Sequence, residues 1–337
     1  MRYAKVYLDS IGYELAPNVV TSEYLEQRIA PVYEALKLPH GQLAALTGIQ
    51  ERRWWDPGFK LSEGATLAGR KALEQSGVKA ADLGALIYAG VCRESSEPAT
   101  ACAVAANLGV GADAAVFDLS NACLGVLNGV LELANRIELG QIRAGMVVSC
   151  ESAREINESM IDSMLANKSM DHFRLSLATL TGGSGAIALV LTDGSFGSKR
   201  RRLLGAALKA EPEHHGLCKW DRDFMMTDAA AVLKHGVALG VRTWGALLAR
   251  LGWSRASVDK VVCHQVGGPH RAAVLASMGV PEDKDFSTYE YLGNIGTVSL
   301  PVTAAIAEER GFLNPGDKVA FCGIGSGLNC LMLGWEW

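Results

Sequence analysis

The sequence predicts an α/β protein made of two similar halves, and three observations carry that prediction. Short apolar runs alternate with helix-like segments, a Gly-rich break falls near the middle of the 337 residues, and motifs on either side of it resemble one another. Composition fits a large buried core, with 49% hydrophobic and 20% charged residues. Lys+Arg 32 against Asp+Glu 36 leaves a formal charge of -4, so no chain-wide basic field exists to hold nucleic acid or an anionic membrane.

Along the chain, the first residues scatter Arg2, Lys5 and Asp9 among apolar side chains, unlike the unbroken apolar stretch of a secretory signal. Apolar runs stay far below the roughly 20 residues that span a bilayer, and the expectation is a soluble, cytosolic protein. Residues 85–91, 115–119 and 146–150 read as buried strands with helices between them, the rhythm of a parallel sheet. Asp193 to Arg202 is turn-rich and ends in Lys199-Arg200-Arg201-Arg202, dividing the chain into expected halves 1–195 and 196–337. Such a basic run is ordinarily a solvated turn; the sharper reading is a dock for an acidic carrier protein or for nucleotide phosphates. In the second half, residues 228–251 space Val232, Leu233, Val237, Val241, Trp244 and Leu248 as a helix does, and 258–263 follow as a strand. Gly183-Ser184-Gly185 before an apolar run resembles Gly325-Ser326-Gly327, and Ala81-Asp82-Leu83-Gly84 before residue 85 resembles the turn before Val261. Two copies of one α/β unit explain both matches.

None of the eight cysteines (92, 102, 123, 150, 218, 263, 322 and 330) forms a C-x-x-C pair, which argues against a disulfide scaffold or zinc ribbon. Cys123 stands where the strand 115–119 gives way to an apolar helical segment. A helix N-terminus there is expected to lower its thiol pKa, and its amides can hold an oxyanion. Ala122, Gly125 and Gly129 leave room for a substrate to approach. His264 ends a second strand and Asn294 lies in the loop Leu292-Gly293-Asn294-Ile295-Gly296-Thr297. Singly these are an ordinary core thiol, a core histidine and a turn former; together, at strand ends of an α/β sheet, they suit one cleft.

With Asn121-Ala122-Cys123-Leu124-Gly125, His264-Gln265, Gly293-Asn294 and the closing Gly323-Ile324-Gly325-Ser326-Gly327-Leu328-Asn329, essentially the whole chain resembles thiolase-superfamily condensing enzymes of the ketoacyl synthase III type. The resemblance implies a five-layered αβαβα duplication. It implies Cys123 as acyl-accepting nucleophile, with His264 and Asn294 as an oxyanion hole for the enolate. The backbone N–H groups of Cys123 and Ser326 form a second hole. Glu97, before Pro98, stands where decarboxylating members usually carry an apolar residue. This arrangement resembles the olefin-pathway thiolases, the OleA type, which join two acyl-CoA molecules head to head. In that family the base enters from the dimer partner, which implies a homodimer and Glu97 as the base. Acyl-CoA thioesters are then substrates, with no separate cofactor and no metal. Leu46 to Asp56 extends the resemblance, and Gly267-Gly268-Pro269-His270 departs from the carrier-dependent pattern. The resembled family goes on to hydrolyse its product thioester to a β-keto acid.

Three alternatives stand beside this reading. One is a decarboxylating β-ketoacyl synthase III using an acyl carrier protein, another is acyl transfer to a hydroxyl or amine, and the third is a catalytically silent acyl-binding subunit. Met160, Met164, Leu165, Met170 and Phe173 read as plain core sooner than as an acyl tunnel, Trp54 and Trp55 as packing, and His214-His215 as lacking the carboxylate or thiolate for a metal site.

Overall fold

The computed structural model describes residues 1–337 except Ser198 and Arg222, so the part of the basic break at Ser198 lies outside the described residues. The strands β1 (Tyr7–Leu15), β2 (Ala85–Ala89), β3 (Ala115–Leu119), β4 (Ala144–Glu151), β5 (Gly185–Thr192), β6 (Arg202–Ala210), β7 (Lys260–Cys263), β8 (Lys318–Gly325) and β9 (Asn329–Glu336) form one 9-stranded sheet. Its order is β7-β8-β9-β6-β1-β5-β4-β2-β3. The longer helices are α1 (Leu61–Ser76), α2 (Thr100–Leu108), α3 (Gly125–Glu138), α4 (Arg154–Ala166), α5 (Ala229–Leu251), α6 (Gly268–Met278) and α7 (Ser299–Glu309). The strands expected at 85–91, 115–119, 146–150 and 258–263 are β2, β3, β4 and β7, and Asp228 caps α5 through its side chain, which accepts from the Ala231 N–H.

β1 and β6 meet through the single pair Tyr7↔Arg202, so the two groups of strands bend over a shared central layer. Strand alternation shows which residues face that layer. Ile187, Leu189 and Leu191 of β5 and Leu331, Leu333 and Trp335 of β9 pack with α3 and α7 in one cluster. Their neighbours Ala186, Ala188 and Val190 face α1 and α2 on one outer side. Cys330 and Met332 face α5 and α6 on the other. The result is the five-layered αβαβα arrangement, with the largest core at its centre. α1 lies unusually close to β1 because Gly12 has no side chain: a Cβ there would stand 2.3 Å from the Ala68 carbonyl oxygen. Among the described residues, no helix is long and apolar enough to cross a membrane.

Candidate active site

Residues at or just after the carboxyl ends of β2, β3, β4, β7 and β8 line one cavity of about 680 Å³. Cys123, His264, Asn294 and Ser326 all line it, on walls that are largely apolar, including Ile156, Leu175, Val232 and Leu233. Cys123 follows Ala122, whose φ of 46° is a costly backbone conformation for a residue with a side chain. α3 starts at Gly125 with Leu124 as its N-cap, so the thiol precedes the first helical turn, where the dipole's influence is concentrated. Burial, helped by Cys218 and Glu151, pushes the Cys123 thiol up to about 12. The lowered pKa expected from the helix terminus is therefore overturned: desolvation of the thiolate outweighs the dipole.

The Cys123 loop is tied to the loop carrying Asn294. Thr297 Oγ1 accepts the Val126 N–H at 2.7 Å, supplying the first turn of α3 with a cap from the other group of strands. Asn294 is fixed in backbone by Asn294 N–H to Thr181 O and Gly183 N–H to Asn294 O, both at 2.9 Å. Its Oδ1 accepts the Gly296 N–H at 3.0 Å and the Ser299 hydroxyl at 3.4 Å. Because a backbone N–H can only donate, Nδ2 is assigned as the other end of the amide, a donor without a partner among the described residues and so available to an oxyanion.

His264 extends β7, its N–H bonded to Cys322 O at 3.0 Å. Burial, with His270 nearby, pushes the His264 imidazole down to about 3, so it is neutral. Its buried Nδ1 has no hydrogen-bond partner among the described residues. Gln265 locks this segment to the next: its Oε1 accepts the N–H groups of Thr288 and Tyr289 at 2.8 and 3.1 Å. Ser326 follows β8, and at neighbouring Gly325 an added Cβ would lie 3.4 Å from the Cys123 nitrogen. Asn329 Nδ2 donates to Asn121 Oδ1 at 3.1 Å, and Asn121 Nδ2 donates to Asn128 at 2.8 Å, joining the two loops further.

Glu97 stands apart. It is exposed between β2 and α2 and does not line its own chain's cavity. Glu94 is otherwise engaged, its carboxylate accepting the Ser62 N–H at 3.1 Å in the first turn of α1. Sequence reasoning missed Glu151, a buried carboxylate on the cavity wall whose pKa is raised by burial. The signal was present: it is a charged residue directly after the apolar run 146–150, at the strand end that faces the ligand.

Other expectations sort cleanly. Met160, Met164 and Phe173 are buried outside the cavity and Met170 is 48% exposed, so this stripe is not the acyl wall. Trp54 and Trp55 pack in the interior, donating to the carbonyls of Gly182 and Glu151. The basic break is a solvated turn only at Lys199 and Arg200, which are exposed. Arg201 is buried, bonded to Glu308 and to the carbonyls of Leu8 and Asp9, and Arg202 pairs with Glu336 at 2.7 Å. His214 does meet a carboxylate: one ligand atom each from Glu211, His214 and His235 lie within 4.8 Å of one another. His235 comes from α5, beyond the reach of local spacing. Arg242 already neutralises Glu211.

Fold and cavity together define a condensing enzyme of the thiolase fold, an acyltransferase, with Cys123 on the wall of the cavity. The family model for the thiolase N-terminal domain matches residues 58–186, and that for the C-terminal part of 3-oxoacyl-[acyl-carrier-protein] synthase III matches 248–337. The chain is 56% identical to the acyl-CoA:acyl-CoA alkyltransferase of Shewanella oneidensis and 35% identical to that of Xanthomonas campestris pv. campestris, covering 100% of each. It superposes on the Xanthomonas campestris OleA bound to cerulenin with a TM-score of 0.97 at 35% identity, over 100% of this chain and 98% of that one. A second OleA structure, with bound lauric acid and lauroyl-CoA, gives 0.96 at 35% identity, over 99% and 100% of the chains. The chain belongs to the acyl-CoA:acyl-CoA alkyltransferase family, the OleA branch of the thiolase-fold condensing enzymes.

Proposed function

We propose that the protein is a cytosolic, homodimeric acyltransferase that joins two acyl-CoA thioesters by a non-decarboxylative Claisen condensation, with halves 1–195 and 196–337 supplying Cys123 and the His264–Asn294 pair respectively. The observation that carries this reading is the meeting of Cys123, His264, Asn294 and Ser326 around one apolar-walled cavity. Cys123 attacks the first acyl-CoA; the N–H groups of Cys123 and Ser326 hold the tetrahedral oxyanion, and the thiol proton leaves with the released CoA. Glu97 of the partner subunit then takes a proton from the α-carbon of the second acyl-CoA, while His264 and Asn294 donate to the enolate oxygen. A neutral His264 can donate one N–H to that oxygen. The carbanion attacks the acyl-cysteine carbonyl, and collapse of the adduct expels the Cys123 sulfur, which recovers the proton from Glu97. The product is a β-ketoacyl thioester.

Long-chain acyl-CoA supplied alone, with products identified by mass, tests this. A β-ketoacyl product carrying both chains is expected. Product formed only when malonyl-CoA or a malonyl carrier protein is added would replace the reading with the decarboxylating one.

A further inference from the structure

Glu151 is 2% exposed and makes no salt bridge among the described residues, an arrangement that costs free energy unless hydrogen bonds hold the charge. They do: one carboxylate oxygen accepts the Val91 N–H at 2.9 Å and the other the Cys92 N–H at 3.0 Å. Tyr88 hydroxyl adds bonds to the carbonyls of Cys92 and Cys150 at 2.9 and 2.8 Å, and the Cys92 thiol donates to Ser152 O at 3.3 Å. The exit of β2 is thus stapled to the exit of β4. The segment that follows is the one bearing Glu97. Its far end is held by Asp118 of β3, whose carboxylate accepts the Thr100 and Ala101 N–H groups at 2.9 and 2.8 Å, and its middle by the Glu94 bond to Ser62. What projects beyond these three anchors is the exposed stretch 95–98.

We propose that Glu151 is a positioning residue for Glu97: by gripping the root of the 91–99 arm it aims that carboxylate at the cavity of the partner subunit. The inference rests on the reading that Glu97 acts across a dimer. Glu151 also lines its own chain's cavity beside Cys123, so the rival role is support of its own nucleophile.

Mixed dimers separate the two roles. When a Cys123→Ser chain is paired with a Glu151→Gln chain, the one remaining nucleophile lies in the Glu151→Gln chain and receives Glu97 from an intact arm. That dimer is expected to condense acyl-CoA at the rate of one working site. The Glu151→Gln homodimer should lose about 10²-fold in kcat with KM little changed, the cost of a base misplaced by about an ångström. Glu151→Asp, which keeps a carboxylate, should recover part of the loss, and it takes the place of Glu151→Gln in the pairing if that variant does not fold. A mixed dimer as inactive as the homodimer would locate the effect at its own Cys123 and overturn the proposal. A second pairing, Cys123→Ser with Glu97→Gln, tests the underlying reading separately. Activity there supports a base that crosses the interface, and its absence removes both that reading and the role assigned to Glu151.

Discussion

The strands β1-β5-β4-β2-β3 and the strands β6-β9-β8-β7 are two versions of one layout, and they differ where the chemistry is. In both, two antiparallel pairings near the middle of the sheet give way to parallel pairing towards its outer edge, α1 and α5 cover equivalent outer faces, and α3 and α7 fill the shared centre. The counterpart of β3 has shrunk to a single bridge, Val261↔Asp285. The connection into α3 carries Cys123, and its counterpart leading to α7 carries Asn294. The connection after β2 is long and exposed and bears Glu97; the one after β7 is short and keeps His264 6% exposed. Regular elements kept their geometry while loops at the carboxyl ends of strands took separate tasks, because a strand end can change side chains without disturbing the layers behind it.

The sharpest break of this asymmetry is Cys123→Ser, which should abolish the acyl adduct seen by intact mass after incubation with acyl-CoA; an adduct that persists would move the nucleophile elsewhere. Glu97→Gln should then lower condensation by about 10²–10⁴-fold while Cys123 still becomes acylated, as loss of a general base requires. Undiminished condensation would assign the carbanion to decarboxylation. Asn294→Ala should cost about 10²–10³ in kcat, the usual toll for one oxyanion donor, without lowering the unfolding temperature much. Leu127→Ala in α3 and Leu300→Ala in α7 test what the halves share. Both side chains are buried in the central layer, and each variant should lose about 2–5 kcal/mol in urea unfolding. A large loss in only one would show that the layer belongs mainly to one half.

The smallest expected effect is one of pH, confined to the second group of strands. Burial pushes His264 down to about 3 and His270 down to about 4 from 6.5, so both are neutral when folded and more readily protonated when unfolded. Stability from this source is fully present above pH 6.5 and is lost as pH falls towards those folded values. The thermal midpoint should decline on acidification from about 6.5 to 4, and His270→Gln should flatten that decline. An unchanged slope would mean that His270 is not the group being titrated.

Strand 115–119, the helix after Asp228 and the placement of Cys123 and His264 at strand ends were legible because each rests on local patterning: apolar runs, helical spacing, turn residues. Asn294, expected at a strand end, instead follows the short helix Tyr289–Leu292, and only its Gly-flanked loop was legible. The thiol of Cys123 was misjudged because a helix terminus is visible in sequence while the burial around it, and the charge of Cys218 and Glu151 that adds to it, come from distant segments. Arg201 read as part of a solvated run because its partner Glu308 lies on another element. Of the companions of His214 only His235 came through α5; Glu211, three residues before it, was within reach of local spacing and was overlooked.

By itself, then, the order of residues determined the alternation of strands and helices and the duplicated unit, since hydrophobic period and turn chemistry act over a few residues, while the family resemblance of its motifs named the candidate reactive groups. Tertiary structure alone decided which groups share a cavity, which carboxylate is buried and which projects outward, and whether the thiol is charged. Those depend on the dielectric and the hydrogen bonds assembled when remote segments are brought around one cavity.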